Sequence, residues 1–336
     1  MAPSTTPVAL AAGTHIWEPT PENIGFQDDL LATMRKHGIT RLDTARAYLD
    51  GRSEEAIGLK GLAKEFIITT KAPTATAGNG SYENILKEAR LSFAALKVDR
   101  VRVYLLHAPD DTIPLEHTYK AIQELYLEGK FEKFGLSNYS ATQVREWHAH
   151  GQKNGFVLPT VYQSMYSAAA RIQEFEVFPT LRELGLAIQV YSPLAMGFLA
   201  KRAEDFAPGT NKLAGGRWDT TTPFGQIQGL MFNKPSMIRL LAAWNEMAHA
   251  AGIDKAGMAY RWVRYHSALR GDLGDEMIIG ASTAQQFADT VAEIEKGPLD
   301  AAVVASIDAL WEPVAADAEK STLRAMGVLI AGAGKH

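Results

Sequence analysis

Short apolar runs alternate with longer amphipathic segments along most of this chain, and that rhythm constrains the fold more than any other feature. The runs are Val8–Ala12, Thr40–Asp43, Phe66–Thr70, Val101–Leu106, Lys133–Leu136, Thr160–Tyr162, Ala187–Tyr191 and Met277–Ile279. Each is short and rich in β-branched residues or leucine, so each reads as a strand. The stretches between them carry apolar residues at helical spacing. Ser81 precedes Tyr82 to Leu91, Pro114 opens Leu115 to Leu127, Ser140 caps Ala141 to His150 before Gly151, and Gly185 closes Arg171 to Leu184. Serine and proline at such starts and glycine at such ends are helix boundary signals. Strand–helix alternation predicts parallel strands joined by helical crossovers. Eight strands over roughly 280 residues fit an α/β fold of the closed (β/α)8 TIM-barrel type better than an open doubly wound sheet. The doubly wound alternative expects a glycine-rich phosphate turn after its first strand, and no G-x-G-x-x-G occurs.

One interval breaks the rhythm. Between Tyr191 and Met277 lies far more chain than one crossover needs, including a Gly-, Thr-, Pro- and Asn-rich stretch from about 200 to 234. Long irregular stretches in compact domains are commonly functional, so this one is read as a loop over the barrel mouth. Two helices are expected after it, Ser236–Ala251 and Asp254–His266. No repeat or second core is visible, so residues 1–336 read as one domain with a divergent tail from about 318. A net charge of -4 without long single-sign runs argues against nucleic acid and anionic membrane as partners. With no cysteine, disulfides and thiolate chemistry are excluded. The start of the chain lacks a basic, apolar leader, so a soluble cytoplasmic protein is expected, and homo-oligomerisation stays open.

If the runs are parallel strands of one barrel, the residues at their C-terminal ends gather on one face. Asp43 ends one run, Tyr48 follows it by five, Lys71 follows the next, and His107 follows Val101–Leu106. Singly, these read as a helix N-cap, a rim phenol, a solvated lysine and a loop histidine. Together they form a set able to pass a proton to a carbonyl oxygen. A phenol with a pKa near 10 is a reluctant acid, and a neighbouring ammonium lowers it. Lys71 would be that ammonium, Asp43 would hold it charged, and His107 would orient the oxygen. Hydride must then come from a cofactor, because no side chain supplies one. His148 and His150 read as surface, and Asp110-Asp111 fits no common metal-ligand spacing, so no metal is expected.

Within Leu42 to Gly58 the chain carries D-T-A, a Tyr five residues after the Asp, G-x-S-E and a final Gly. Together with Lys71, Leu105-Leu106-His107-Ala108-Pro109-Asp110, Gly135-Leu136-Ser137-Asn138-Tyr139, Tyr162-Gln163, Tyr191-Ser192-Pro193-Leu194-Ala195 and Ile279-Gly280, this resembles the aldo-keto reductases over about residues 8 to 315. The stretches Glu128-Gly129-Lys130-Phe131, Leu158 to Gln163, Phe178-Pro179 and Glu295 to Leu299 are most similar to the aflatoxin-aldehyde and succinic-semialdehyde reductase branch.

That resemblance implies NADPH-dependent reduction of an aldehyde or ketone without a metal. Tyr48 is the implied proton donor, assisted by Lys71, Asp43 and His107. It further implies a nicotinamide held near Asp43 by Ser137, Asn138 and Gln163, with Tyr191 stacked on it. Pro193, Leu194 and Gly197 would strap the pyrophosphate, Gly280, Ser282 and Gln286 would hold the adenosine phosphate, and Arg217 would grip the 2'-phosphate. The branch's adenine-side Asn is replaced by Thr290. Its carboxylate-receiving Arg is missing from Gly229 to Asn233, and a C-terminal Arg matches Arg324 only loosely. An acidic substrate is therefore not expected. Trp17, Trp218, Met231 and Phe232 suggest instead a bulkier, apolar carbonyl compound. The alternative is a regulatory subunit resembling potassium-channel β subunits, which hold cofactor with little turnover. A Schiff-base enzyme using Lys71 is a third option, opposed by Asp43.

Overall fold

The computed structural model describes residues 6–207, 209–210 and 212–319; Pro208, Asn211, Arg324 and the Met326–His336 tail lie outside the described residues. Eight strands close a barrel in sequence order: β1 Ala9–Gly13, β2 Arg41–Asp43, β3 Ile67–Ala72, β4 Val101–Leu106, β5 Phe131–Ser137, β6 Pro159–Met165, β7 Ala187–Tyr191 and β8 Glu276–Ile279. Every neighbouring pair is parallel, with β8 paired to β1. All C-terminal strand ends therefore share one rim. The chain follows the expected (β/α)8 barrel.

Helices fill the crossovers: α1 Pro21–Lys36, α2 Arg52–Leu59, α3 Tyr82–Leu96, α4 Leu115–Leu127, α5 Ala141–Asn154, α6 Ile172–Glu176 and α7 Phe178–Glu183. Then come α8 Pro223–Phe232, α9 Pro235–Ala251, α10 Lys255–Tyr265, α11 Ala284–Glu295 and α12 Ala301–Ala309. Three expectations change. Gly151 does not stop α5. It lies inside the helix, where a Cβ would fall 2.2 Å from the Tyr119 hydroxyl, so it is there for packing. The segment Arg171–Leu184 is two short helices broken at Val177, because Pro179 has no N–H to give the Phe175 carbonyl that a continuous helix would pair with it. The mouth stretch is not all loop. Thr222 accepts a hydrogen bond from the Gly225 N–H at 3.1 Å and Pro223 opens α8, a capped start inside polar sequence.

Strand alternation divides the apolar residues into two sets. Outward-facing Tyr104, Leu106, Phe134, Leu136, Tyr162, Ile188 and Val190 join the large core shared with the helices. Val103, Leu105 and Val161 form a small separate cluster. On the same strand faces as these three stand Asp43, Lys71, Gln163 and Gln189, all buried. The barrel interior is thus unusually polar, and this places the site.

Candidate active site

Lys71 sits inside β3 rather than after it, because pairing with β4 extends the strand through Lys71 and Ala72. Its side chain is fully buried. The ammonium donates to Asp43 Oδ1 and to the Thr44 carbonyl, each at 2.7 Å, and to the Tyr48 hydroxyl at 3.3 Å. Burial alone would lower Lys71, but the charge of Asp43 and the Tyr48 hydroxyl carry it above its ordinary value. It remains an ammonium.

Tyr48 begins a one-turn helix, Tyr48–Gly51, whose next residues, Leu49 and Asp50, are left-handed at φ 51° and 55°. Non-glycine residues pay for such φ values only where the surroundings impose them, commonly at functional sites. Desolvation of its hydroxyl pushes Tyr48 up and Lys71 pulls it down. Burial wins, so the phenol stays above its ordinary value. The expectation of a net lowering by Lys71 is corrected here: the lysine offsets part of the burial effect without reversing it.

His107 follows β4, its ring edge-on to Tyr48 at 5.7 Å between centroids. Burial and then Lys71 bring its pKa down to about 3, and its Nδ1 is buried without a partner. On the other side stands His15, edge-on to Tyr48 at 6.3 Å. Burial, then Arg217 and Lys71, lower His15 to about 4. Two neutral imidazoles therefore flank the phenol. His15 has no role in the sequence reading, since one histidine after a strand has no spacing partner to mark it.

The residues between Asp43 and Gly58 support this cluster. Ser53 donates to the Thr14 carbonyl at 2.8 Å and is bonded to the Thr14 and Thr44 hydroxyls, tying β1 to the segment after β2. Glu54, fully buried, accepts from Thr70 at 2.5 Å, beside Lys71. Gly51, at φ 88°, leaves room for the Arg46 guanidinium, which a Cβ would meet at 1.5 Å. At Gly58 a Cβ would sit 1.9 Å from the Ala95 carbonyl, so this glycine lets α2 lie against α3.

Ser137 ends β5 and pairs in register with Gln163 of β6. Asn138, left-handed at φ 64°, donates to the His107 carbonyl at 3.0 Å and to Ser137 Oγ at 2.9 Å, and accepts from the Tyr191 hydroxyl at 2.8 Å. Ser137, Asn138, Tyr191 and His107 thus form one bonded group. After β7 the backbone is left-handed at Ser192, Ala195, Met196 and Gly197, which marks the Pro193-Leu194 turn as a strained strap. Past Gly280, Thr283 caps α11, accepting from the Gln286 N–H, while Gln286 Oε1 accepts from the Ser282 N–H at 2.9 Å. The cap is therefore Thr283, with Ser282 bonded beside it.

Arg217 is exposed, its guanidinium over the Phe224 ring at 4.9 Å, and its charge reaches His15. No described hydrogen bond joins it to the 280–286 turn. The four aromatic and sulfur residues expected at the substrate are packed inside. Trp17, Trp218, Met231 and Phe232 are all buried. Phe232 stacks on Phe198 at 5.1 Å, and Trp218 packs on Phe198 and Phe206 at 5.9 and 5.3 Å. Phe232, at the end of α8, and Trp218, before it, pack on each other and on Phe198 as the aromatic interior of the mouth segment. Asp110 spends its carboxylate on the Gly80 N–H and on Thr112. His150 stacks on Tyr119 at 5.4 Å instead of lying on the open surface.

The parallel eight-stranded barrel thus carries an ammonium-backed phenol at its C-terminal rim. The aldo/keto reductase family model matches residues 11–312, and the chain belongs to that family. It is similar to oxidoreductase sirO of Leptosphaeria maculans, 39% identical over 295 residues, with 88% of each chain covered. It is also similar to human aflatoxin B1 aldehyde reductase member 4, 36% identical over 285 residues, covering 82% of this chain and 86% of that one. Aldo-keto reductase pigE of Monascus ruber is 29% identical over 318 residues, covering 90% and 93%. The resemblance to the aflatoxin-aldehyde branch is therefore shown. Among the described residues no helix is long and apolar enough to cross a membrane.

Proposed function

We propose that this chain reduces an aldehyde or ketone to its alcohol, with NADPH as the hydride source and Tyr48 as the proton donor. The observation that carries the reading is the Tyr48 hydroxyl 3.3 Å from a buried ammonium that Asp43 locks in place. The bonded group Ser137–Asn138–Tyr191, the buried amide of Gln163 and the left-handed strap at Ala195–Gly197 fit a nicotinamide nucleotide. NADPH, when bound, supplies the hydride.

The carbonyl oxygen docks between Tyr48 and the neutral imidazole of His107. Charge develops on that oxygen as the bond reduces, and Tyr48 gives it a proton. Lys71 stabilises the phenolate left behind, and Asp43 keeps Lys71 charged. A phenol held above its ordinary pKa stays protonated at neutral pH, which suits the reducing direction. No step passes through a metal, since phenol and ammonium already deliver the proton. Preference for the phosphorylated nucleotide rests on Arg217, the cation at the mouth. The chain is read as one domain acting in the cytoplasm.

Tyr48→Phe is the test. It removes only the transferred proton, so turnover should fall by about 10²-fold or more while nucleotide binding is kept. Undiminished turnover in that variant sinks the assignment.

A further inference from the structure

A line of hydrogen bonds crosses the barrel interior from the site to the opposite rim. Gln163 Nε2 donates to Asp43 Oδ2 at 2.8 Å and to Gln189 Oε1 at 3.0 Å. Gln189 Nε2 donates to Glu276 Oε2 at 3.0 Å, and Arg41 Nε donates to Glu276 Oε1 at 2.9 Å. Strand register brings these together: Gln163 is opposite Gln189 on β7, and Gln189 is opposite Glu276 on β8. Both glutamines are buried.

The direction of this line follows from its ends. A carboxylate only accepts hydrogen bonds, whereas an amide can face either way. Glu276, paired with Arg41, requires the NH2 end of Gln189, so Gln189 turns its oxygen to Gln163. That oxygen and Asp43 then both require the NH2 of Gln163 and use both of its hydrogens. Were Gln163 to turn over, its oxygen would face two acceptors. Its own Oε1 is left over, and no described residue donates to it.

We propose that Gln189 and Glu276 are positioning residues that hold Gln163 in one orientation, as a fixed acceptor for the carboxamide N–H of a bound nicotinamide. This rests on the nicotinamide reading above. An acceptor that cannot turn over rewards a ring bearing CONH2 and gives nothing to one bearing a methyl ketone. Losing one such bond in a buried site weakens binding about tenfold. Without Gln189 or the Glu276 charge, Asp43 alone is left to favour that orientation, and Gln163 is held less firmly.

The test is titration calorimetry of the full chain with NADPH and with its reduced 3-acetylpyridine analogue. The wild type should bind NADPH about tenfold more tightly than the analogue. In Gln189→Leu and in Glu276→Gln the preference should shrink to about threefold or less, with cooperative thermal unfolding kept. Glu276→Gln preserves shape, so it decides alone if Gln189→Leu does not fold. An unchanged preference in the folded variants, or a wild type without preference, overturns the relay. A wild type that binds neither nucleotide overturns the nicotinamide reading itself.

Discussion

Replacing Asp43 by Asn leaves Lys71 fully buried without its counter-charge. Removing one partner of a buried ion pair costs about 3–5 kcal/mol. The lysine has an escape, which is to lose its proton, and that sets a ceiling. At pH 7 neutralising a group with an ordinary pKa of about 10.4 costs about 4.6 kcal/mol, and at pH 9.5 only about 1.2 kcal/mol. In the wild type the folded pKa of Lys71 is raised. Its contribution is then fully present below the ordinary value and is lost only as pH rises through the folded value. In the variant the folded pKa falls below the ordinary value, so the unfolded chain binds the extra proton and stability rises with pH across that window. Thermal unfolding followed by circular dichroism should show the variant melting about 6 °C below wild type at pH 7, narrowing to about 2 °C at pH 9.5. An equal deficit at both pH values, or none at pH 7, would refute the argument that Lys71 is a charged group held by Asp43.

Further outcomes follow from the same geometry. With His107 near 3 and His15 near 4, neither imidazole changes charge above about pH 5.5, so kcat/KM for reduction should be flat from there to about pH 8, and a break near 6.5 would contradict the burial of both rings. Stability should meanwhile fall as pH drops from 6.5 toward 4, because the unfolded chain takes up protons that the folded imidazoles refuse; acid titration of the melting temperature checks this. Gly58→Ala puts a methyl 1.9 Å from the Ala95 carbonyl and should cost about 1–3 kcal/mol in chemical denaturation, with the residual folded enzyme still active.

Strand positions and the Asp43, Tyr48, Lys71 and His107 set were legible in the sequence because short apolar runs mark strands and parallel strands share a rim. What stayed hidden depended on closure. Arg41, Gln163, Gln189 and Glu276 are far apart in sequence; register across β6, β7 and β8 sets the glutamines beside Glu276, and Arg41 reaches it only because β8 meets β1. Strand alternation could have shown them facing inward, but not which amide faces which carboxylate. His15 was silent for a related reason: its environment comes from Tyr48, Lys71 and Arg217, each on a different segment. The capped start at Thr222-Pro223 was readable, yet the surrounding polar residues concealed a helix that packs inward. Met231 and Phe232 looked available for a ligand because composition alone says nothing about which side of a helix is covered.

The rings of Phe198, Phe206, Trp218 and Phe232 fill one another beneath the entrance. A segment with its own adhesive interior can exchange its outward residues while the strands beneath keep their shape. Selection for a new substrate can then act on the entrance piecemeal, and the inherited proton chemistry below it passes unaltered from one specificity to the next.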